Sequence, residues 1–174
     1  MIKISGNLIH KILLQLNVCL KKLNEMHAIH KFINPENIFI TYLDESKSNF
    51  DIKLGGYDLT NEKEGSRHSS IINSDEEINF IAPEIEYGGL NNSVDSIEEG
   101  RSFKGKCDLF SIGMLIYYLS TQEIPKKNES KFKSVSDKCL NDLIEKLLVV
   151  DPDKRIDFEK YYNHPFFKKY HNLV

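Results

Sequence analysis

The feature that most constrains the fold is an apolar run within residues 108–119. Leucine, isoleucine, methionine, phenylalanine and tyrosine fill most of its positions, and the few polar residues leave no continuous polar face. A helix that is apolar nearly all round must be covered by other elements on every side, so it belongs at the centre of a core. The run therefore predicts a domain built around one buried helix, and 174 residues are enough to cover it.

Three further helices are predicted around this centre. Residues 8–23 place leucine and isoleucine at helical spacing, with lysine, glutamine and asparagine elsewhere around the wheel. Residues 140–148 repeat this pattern, and we expect Asp151 and Pro152 to stop that helix. A short last helix is expected over residues 157–162.

Two strands and two long polar loops complete the predicted organisation. Residues 38–40 and 50–54 read as strands on either side of a polar turn at residues 44–49. Residues 60–77 and 88–105 are polar and without periodicity, which is typical of loops. The predicted fold class is therefore mainly α (α+β), with a small β-hairpin between the first helix and the remaining helices.

Composition limits the classes of function. Hydrophobic residues make up 40% and charged residues 28% of a chain with a net charge of −3, which indicates a soluble globular domain. This balance gives no electrostatic reason to expect nucleic acid or an anionic membrane as a partner. Cys19, Cys107 and Cys139 lie far apart, so we expect free thiols in a reducing, intracellular and cytoplasmic setting rather than a disulfide framework or a metal site.

Several short segments carry motifs that resemble, in the same order, those of eukaryotic Ser/Thr protein kinases. The segments are His30-Lys31-Phe32-Ile33-Asn34-Pro35-Glu36-Asn37, Leu54-Gly55-Gly56-Tyr57-Asp58-Leu59, Ala82-Pro83-Glu84, Cys107-Asp108-Leu109-Phe110-Ser111-Ile112-Gly113, residues 147–155 and Asn163-His164-Pro165-Phe166-Phe167. They resemble the catalytic loop, the metal-binding turn, the end of the activation segment, the central buried helix and the last two helices of that family.

The resemblance implies a single protein-kinase-like C-terminal lobe over residues 1–174. Residues 56–84 would correspond to the activation segment, and residues 88–105 would contain an inserted polar loop. The family's N-terminal lobe, with its Gly-rich loop and nucleotide-binding lysine, is expected to be absent because few residues precede the first helix.

The same resemblance implies that the residues of phosphoryl transfer are degenerate. Phe32 stands where the family has the aspartate that accepts the hydroxyl proton, and Gly56 stands where it has the metal-binding aspartate. Asn34 replaces the lysine that contacts the transferred phosphate, and only Asn37 matches a metal ligand. Asp58 lies two residues beyond Gly56 and would reach the metal position only if the turn shifted its register. Glu77, where many kinases have a bridging threonine, is a further departure.

The residues that organise the fold in the family are retained. By the resemblance, Glu84 pairs with Arg155, Asp108 accepts N–H groups from the catalytic loop, and His30 packs at the base of that loop. Asn37, Ala82, Pro83 and Gly113 complete this structural set. In the segment equivalent to the activation loop, Ser66, Ser69, Ser70 and Ser74 lie near Arg67 and His68. They are either phosphorylation sites that could order the loop or parts of a plain polar loop.

The leading functional hypothesis is a pseudokinase, a catalytically inactive domain that binds and regulates another protein, for which an active kinase is one candidate. ATP and Mg²⁺ serve the family, but neither cofactor is expected here. Two alternatives stay open. One is a divergent Ser/Thr kinase that takes an N-terminal lobe from another chain and uses Asp58, and the other is a truncated, decayed kinase gene product.

Overall fold

The computed structural model of the protein describes residues 4–26, 28–46, 49–56, 79–88, 105–124, 126 and 132–169. Its helices are α1 (Gly6–Glu25), α2 (Pro83–Gly88), α3 (Lys106–Thr121), α4 (Lys138–Leu147), α5 (Phe158–Tyr162) and α6 (Pro165–Lys169). A 3₁₀ turn (Pro35–Asn37) leads into strands β1 (Ile38–Tyr42) and β2 (Phe50–Leu54), which pair antiparallel. Within the described residues this is an α+β fold of helices with one two-stranded sheet.

Helix α3 lies at the centre of the core, as its sequence predicts. Most of its residues are buried, including Leu109, Ile112 and Met114, which are shielded from solvent completely. Helix α4 packs against α3 at Gly113, where a Cβ atom would lie 2.8 Å from Leu147 Cβ. Glycine is therefore required at this position for the two elements to approach so closely.

Helix α1 covers another side of the core and begins where the sequence provides a cap. The Ser5 side chain accepts a hydrogen bond from the Leu8 N–H, one of the donors that an α-helix leaves without a partner at its start. The buried face of α1 carries Ile9, Leu13 and Leu16, at helical spacing. The helix predicted from residues 8–23 is thus confirmed and extends slightly at both ends.

The predicted strands are also confirmed, and the hairpin is fastened to α1 by a side chain. The Gln15 amide nitrogen donates to the Phe50 carbonyl at 2.8 Å, and its oxygen accepts from the Ile52 N–H at 2.7 Å. Gln15 thereby pairs with β2 on the side away from β1, much as a neighbouring strand would.

The later helices differ in detail from the prediction. Helix α4 ends at Leu147, four positions before the Asp151 and Pro152 that we expected to stop it. Asp157 is the N-cap of α5 and accepts from the Lys160 N–H, so that helix starts one residue later than predicted. The short helices α2 and α6 were not predicted from periodicity. None of the described helices is both long and apolar enough to cross a membrane.

Candidate functional site

A buried carboxylate on α3 holds the loop between α1 and the 3₁₀ turn. Asp108 Oδ2 accepts from the His30 N–H at 2.8 Å, and Oδ1 accepts from the Lys31 N–H at 2.7 Å. Burial raises the pKa of Asp108 to about 6, although both backbone N–H groups act in the opposite direction. Lys31 has a φ of +66°, a left-handed conformation that is uncommon for a residue other than glycine. The two bonds to Asp108 hold this conformation in place.

His30 fastens the same loop to the end of β2. Its Nε2 lies 2.8 Å from the Gly55 carbonyl oxygen, which only accepts hydrogen bonds, so Nε2 carries the proton. The ring is buried, and this burial lowers the pKa of His30 despite the bond to Gly55. This environment favours a neutral imidazole with a structural role.

Phe32 and Asn37 are joined across the loop. The Asn37 amide nitrogen donates to the Phe32 carbonyl at 2.8 Å, and the Asn37 carbonyl accepts from the Gly55 N–H. The phenyl ring of Phe32 is buried. A phenyl ring has no lone pair with which to accept a proton, so this position provides no general base.

Asn34 has a role that the sequence reading missed. Its side-chain oxygen accepts from the Asn37 N–H at 3.0 Å and caps the 3₁₀ turn, while Pro35 occupies the first position of the turn. The side chain is fully buried, and within the described part of the chain its amide nitrogen has no hydrogen-bond partner. The sequence did contain a signal for this capping role, because asparagine followed by proline is a common start of a helical turn.

Gly56, two residues after the end of β2, has no room for a side chain unless Asn37 moves. Its φ is +79°, in the left-handed region that favours glycine. A Cβ atom built there would lie 2.5 Å from Asn37 Oδ1 and 2.6 Å from Asn37 Cγ. The Asn37 amide therefore occupies the place that the Cβ of any side chain at position 56 would need.

A second set of contacts ties the start of α2 to the late helices. Arg155 donates from Nη1 and Nη2 to the two carboxylate oxygens of Glu84, at 2.6 and 2.9 Å. Ala82 and Pro83 are buried just before this pair, and the Ser111 hydroxyl of α3 donates to the Phe80 carbonyl at 2.7 Å. Segment 80–84 is therefore fixed to the core at both ends.

Several residues singled out from the sequence lie outside the described residues. They are Asp58, Glu77, the serines at 66, 69, 70 and 74, Arg67 and His68, together with most of the proposed insertion at 88–105. The three cysteines are described, and all are free thiols: Cys107 is buried, whereas Cys19 and Cys139 are half-buried. The prediction of unpaired cysteines is therefore confirmed.

Comparison with known proteins identifies the family of this chain. The family described as "Protein kinase domain" matches residues 1–167. The chain belongs to the protein kinase family. The resemblance read from the motifs is thereby confirmed at the level of the family.

Individual relatives are kinases by name. The chain is 28% identical to "Probable serine/threonine-protein kinase fhkB" of Dictyostelium discoideum, over 93% of this chain and 15% of the relative. It is 25% identical to "Aurora kinase" of Schizosaccharomyces pombe, over 97% of this chain and 45% of the relative. It is 25% identical to "Serine/threonine-protein kinase cds1" of the same yeast, over 90% of this chain and 35% of the relative. The chain thus spans less than half the length of each of these relatives.

The described site consists mainly of contacts that hold the loop in place, and few of its side chains could take part in phosphoryl transfer. Asp108 is the carboxylate that contacts the loop, and both of its oxygens already accept backbone N–H groups. Within the residues that the structure describes, no three His, Cys, Asp or Glu side chains are grouped so as to hold a metal ion. The arrangement fixes a loop, and it presents no carboxylate at positions 32 or 56.

Proposed function

We propose that the chain is a pseudokinase, a protein-kinase-like C-terminal lobe that binds and regulates another protein without transferring phosphate. We assign residues 1–174 to this single lobe, with the inserted loop at residues 88–105. The proposed setting is the cytoplasm, and the proposed partner is another protein, with an active kinase as the first candidate.

The observation that carries the proposal is the state of positions 32 and 56. Phosphoryl transfer depends on a group that orients the substrate hydroxyl and on metal ions that neutralise the phosphates. A buried phenyl ring at position 32 removes a general base that is commonly worth about 10²–10⁴-fold in rate. At position 56 a carboxylate is absent, and a Cβ there would lie 2.5 Å from Asn37 Oδ1, so the Asn37 amide would have to move to admit any side chain.

The two buried charged residues of the described chain are engaged in the fold, which supports a binding role. Asp108 is occupied by two backbone N–H groups, and Arg155 by Glu84 and three backbone carbonyls. A domain that keeps its scaffold and has no reaction centre acts through the surfaces that it presents to partners.

A nucleotide titration tests the non-catalytic part. The 174-residue chain is titrated with ATP at millimolar Mg²⁺, with an active Ser/Thr kinase in the same buffer as the control, and phosphate transfer to a general peptide substrate is measured in parallel. We expect no saturable binding and no transfer. Saturable binding at micromolar ATP, or transfer above the background without enzyme, would overturn the proposal.

A second experiment tests the partner. The chain is cross-linked in cell extract, purified, and its attached proteins are identified by mass spectrometry. The partner hypothesis predicts enrichment of the same protein, a kinase in the first instance, by the native chain and by Lys154→Ala, which changes only a solvent-exposed side chain. Enrichment of chaperones alone would favour a decayed gene product.

A further inference from the structure

Helix α6 begins at Pro165, and the residue before it, His164, caps the start of this helix. The His164 Nδ1 accepts from the Phe166 N–H at 3.3 Å, and the His164 carbonyl accepts from the Phe167 N–H at 3.0 Å. A side-chain cap satisfies a donor that the first turn of a helix leaves without a partner. An imidazole can provide this cap only in its neutral form, because protonation removes the lone pair of Nδ1.

The other ring nitrogen of His164 contacts a carboxylate that already has a cation beside it. His164 Nε2 donates to Asp142 Oδ2 at 2.9 Å, and the Lys146 ammonium group donates to the same oxygen at 2.8 Å. A protonated His164 would therefore bring a second positive charge to one carboxylate, in a residue that is only 3% exposed. Burial lowers the pKa of His164, and Lys146 acts in the same direction, whereas the bond to Asp142 acts in the opposite one.

Other titratable groups face this region from each helix that packs against it. On α6 itself, Lys169 pairs with Asp137, the cap of α4, at 2.7 Å. On α5, Tyr161 is buried and packs against a phenyl ring of α6. On α1, Nε2 of the buried His10 lies 3.1 Å from a backbone carbonyl of α6, which only accepts hydrogen bonds. Protonation would leave that nitrogen of His10 a donor, whereas it removes the acceptor at His164 Nδ1.

Helix α6 has only five residues, so it depends on its cap and on its packing. A helix of this length is not stable in isolation, because nucleating it costs more than its few hydrogen bonds return. Phe166 is fully buried and lies edge-on to the His10 ring, with 5.7 Å between the ring centres. Helix α3, in contrast, is buried along most of its length. Local opening begins where few buried contacts must break, so loss of the cap affects α6 before α3.

We propose that α6 is an acid-released helix: protonation of His164 removes its cap, and α6 then separates from α1 and α4 while α3 stays folded. Separation uncovers Phe166 and the part of α1 beneath it, an apolar surface that stays closed at neutral pH. The separated segment binds a proton with the ordinary pKa of histidine, about 6.5, and the packed segment binds it less readily. The separated state therefore gains population as the pH falls, by up to about tenfold between about pH 7.5 and about pH 5.5.

Hydrogen exchange followed by mass spectrometry tests the proposal on the 174-residue chain at these two pH values. Each rate is divided by the intrinsic rate of the unfolded peptide at the same pH, and protection is compared for peptides from α6 and α3 in one sample. The variants are His164→Asn, which can cap a helix without titrating, and Lys146→Gln, which removes the neighbouring cation. Lys22→Gln is the matched control, because Lys22 is an exposed lysine that pairs with Glu25 on α1. Circular dichroism at neutral pH establishes that each variant is folded.

We expect protection of α6 to fall by about three- to tenfold in acid in the native chain and in Lys22→Gln, with a smaller change in α3. The fall should be smaller in Lys146→Gln, because the Asp142 carboxylate then holds the imidazolium without a competing cation. In His164→Asn the protection of α6 should stay constant.

Three results would overturn the proposal. They are constant protection of α6 in the native chain, a fall as large in His164→Asn as in the native chain, and a fall of α3 that matches that of α6. If His164→Asn does not fold, the comparison of the native chain with Lys146→Gln decides, and equal falls in these two proteins would contradict the assignment. The proposal does not depend on the absence of catalysis, so it and the nucleotide titration can fail separately.

Discussion

The guanidinium of Arg155 donates to both carboxylate oxygens of Glu84, at 2.6 and 2.9 Å, and its other three N–H groups donate to backbone carbonyls. The three carbonyls belong to Lys106, Val149 and Val150. All five donors of a fully buried side chain are therefore used, and its planar group lies over the Phe110 ring. One residue thus connects α2, the start of α3 and the turn after α4.

Removing this connection should strongly destabilise the fold. Arg155→Leu leaves the Glu84 carboxylate and three carbonyls without their donor, and breaking a buried pair in this way costs about 3–5 kcal/mol. Arg155→Lys should recover only part of the loss, because an ammonium group cannot donate to both oxygens in the same forked geometry. The free energy of unfolding is measured by urea denaturation.

The matched control is the neighbouring Lys154→Ala. Lys154 pairs with Asp151 on the surface, where such pairs are worth about 0–1 kcal/mol. If Arg155→Leu lowers the free energy of unfolding no more than Lys154→Ala does, the structural role assigned to Arg155 is wrong.

Asp108 should be needed for its two acceptor oxygens rather than for its size. In Asp108→Asn one oxygen is replaced by an NH₂ group, which would face the backbone N–H of His30 or Lys31. Leaving a buried donor without its acceptor costs roughly 1–3 kcal/mol. Denaturant unfolding should show this loss for Asp108→Asn and almost none for Asp153→Asn, an exposed residue after α4. Equal stability of both variants would contradict the assignment.

His164 should make the protein less stable in mild acid. Its Nε2 donates to Asp142 at 2.9 Å, and Nδ1 lies 3.3 Å from the Phe166 N–H as its acceptor. Burial lowers the pKa of His164 below its ordinary 6.5, although the bond to Asp142 raises it. As the pH falls below about 6.5, the unfolded chain takes up this proton before the folded chain does, so the free energy of unfolding decreases until the folded pKa is passed.

Unfolding curves between pH 7.5 and 5 for the native chain and His164→Gln measure this effect. The native chain should lose more stability over this interval than the variant does, since the variant has no ring to protonate. Contributions from His30 and Asp108 are common to both proteins and cancel in the difference. Identical pH profiles would show that His164 titrates alike in the folded and unfolded chains.

The long elements could be predicted from the sequence because their patterns extend over several turns. The apolar run at residues 108–119 and the spacing of leucines in residues 8–23 correspond to α3 and α1. Helices α2 and α6 are too short to show a helical period. The sequence motifs therefore indicated where these segments lie but not that they are helical. Helix α4 ends at Leu147, and the N–H of Leu148 after it bonds back to the Ile144 carbonyl. The proline five residues later does not mark this end.

The site could be predicted in its residue types but not in its geometry. That positions 32 and 56 lack carboxylates is visible in the sequence. Asn34 was read as a lost phosphate contact, whereas the structure places it as a buried cap of the 3₁₀ turn. The closeness of Asn37 to Gly56 depends on a backbone angle that no residue pattern specifies.

This closeness predicts that a carboxylate cannot simply be restored at position 56. In Gly56→Asp the new residue must keep a φ near +79°, a left-handed conformation that glycine adopts more readily than any residue with a Cβ. Its Cβ must also displace the Asn37 amide, and that amide holds the Phe32 carbonyl. We therefore expect Gly56→Asp to be destabilised and the double variant Phe32→Asp/Gly56→Asp to remain without phosphate transfer.

A double-mutant cycle separates the backbone cost from the contact with Asn37. Gly56→Ala introduces the same Cβ without a charge, and it is measured by urea unfolding in the native background and in Asn37→Ala. Because the alanine at position 37 opens the space above Gly56, Gly56→Ala should cost less there, with a coupling of about 0.5–3 kcal/mol between the two positions. The remaining cost in the Asn37→Ala background reports the strain of the positive φ alone. If the two costs are equal and Gly56→Asp is as stable as the native chain, the space at position 56 is open to a carboxylate, and the central support for a non-catalytic site is lost.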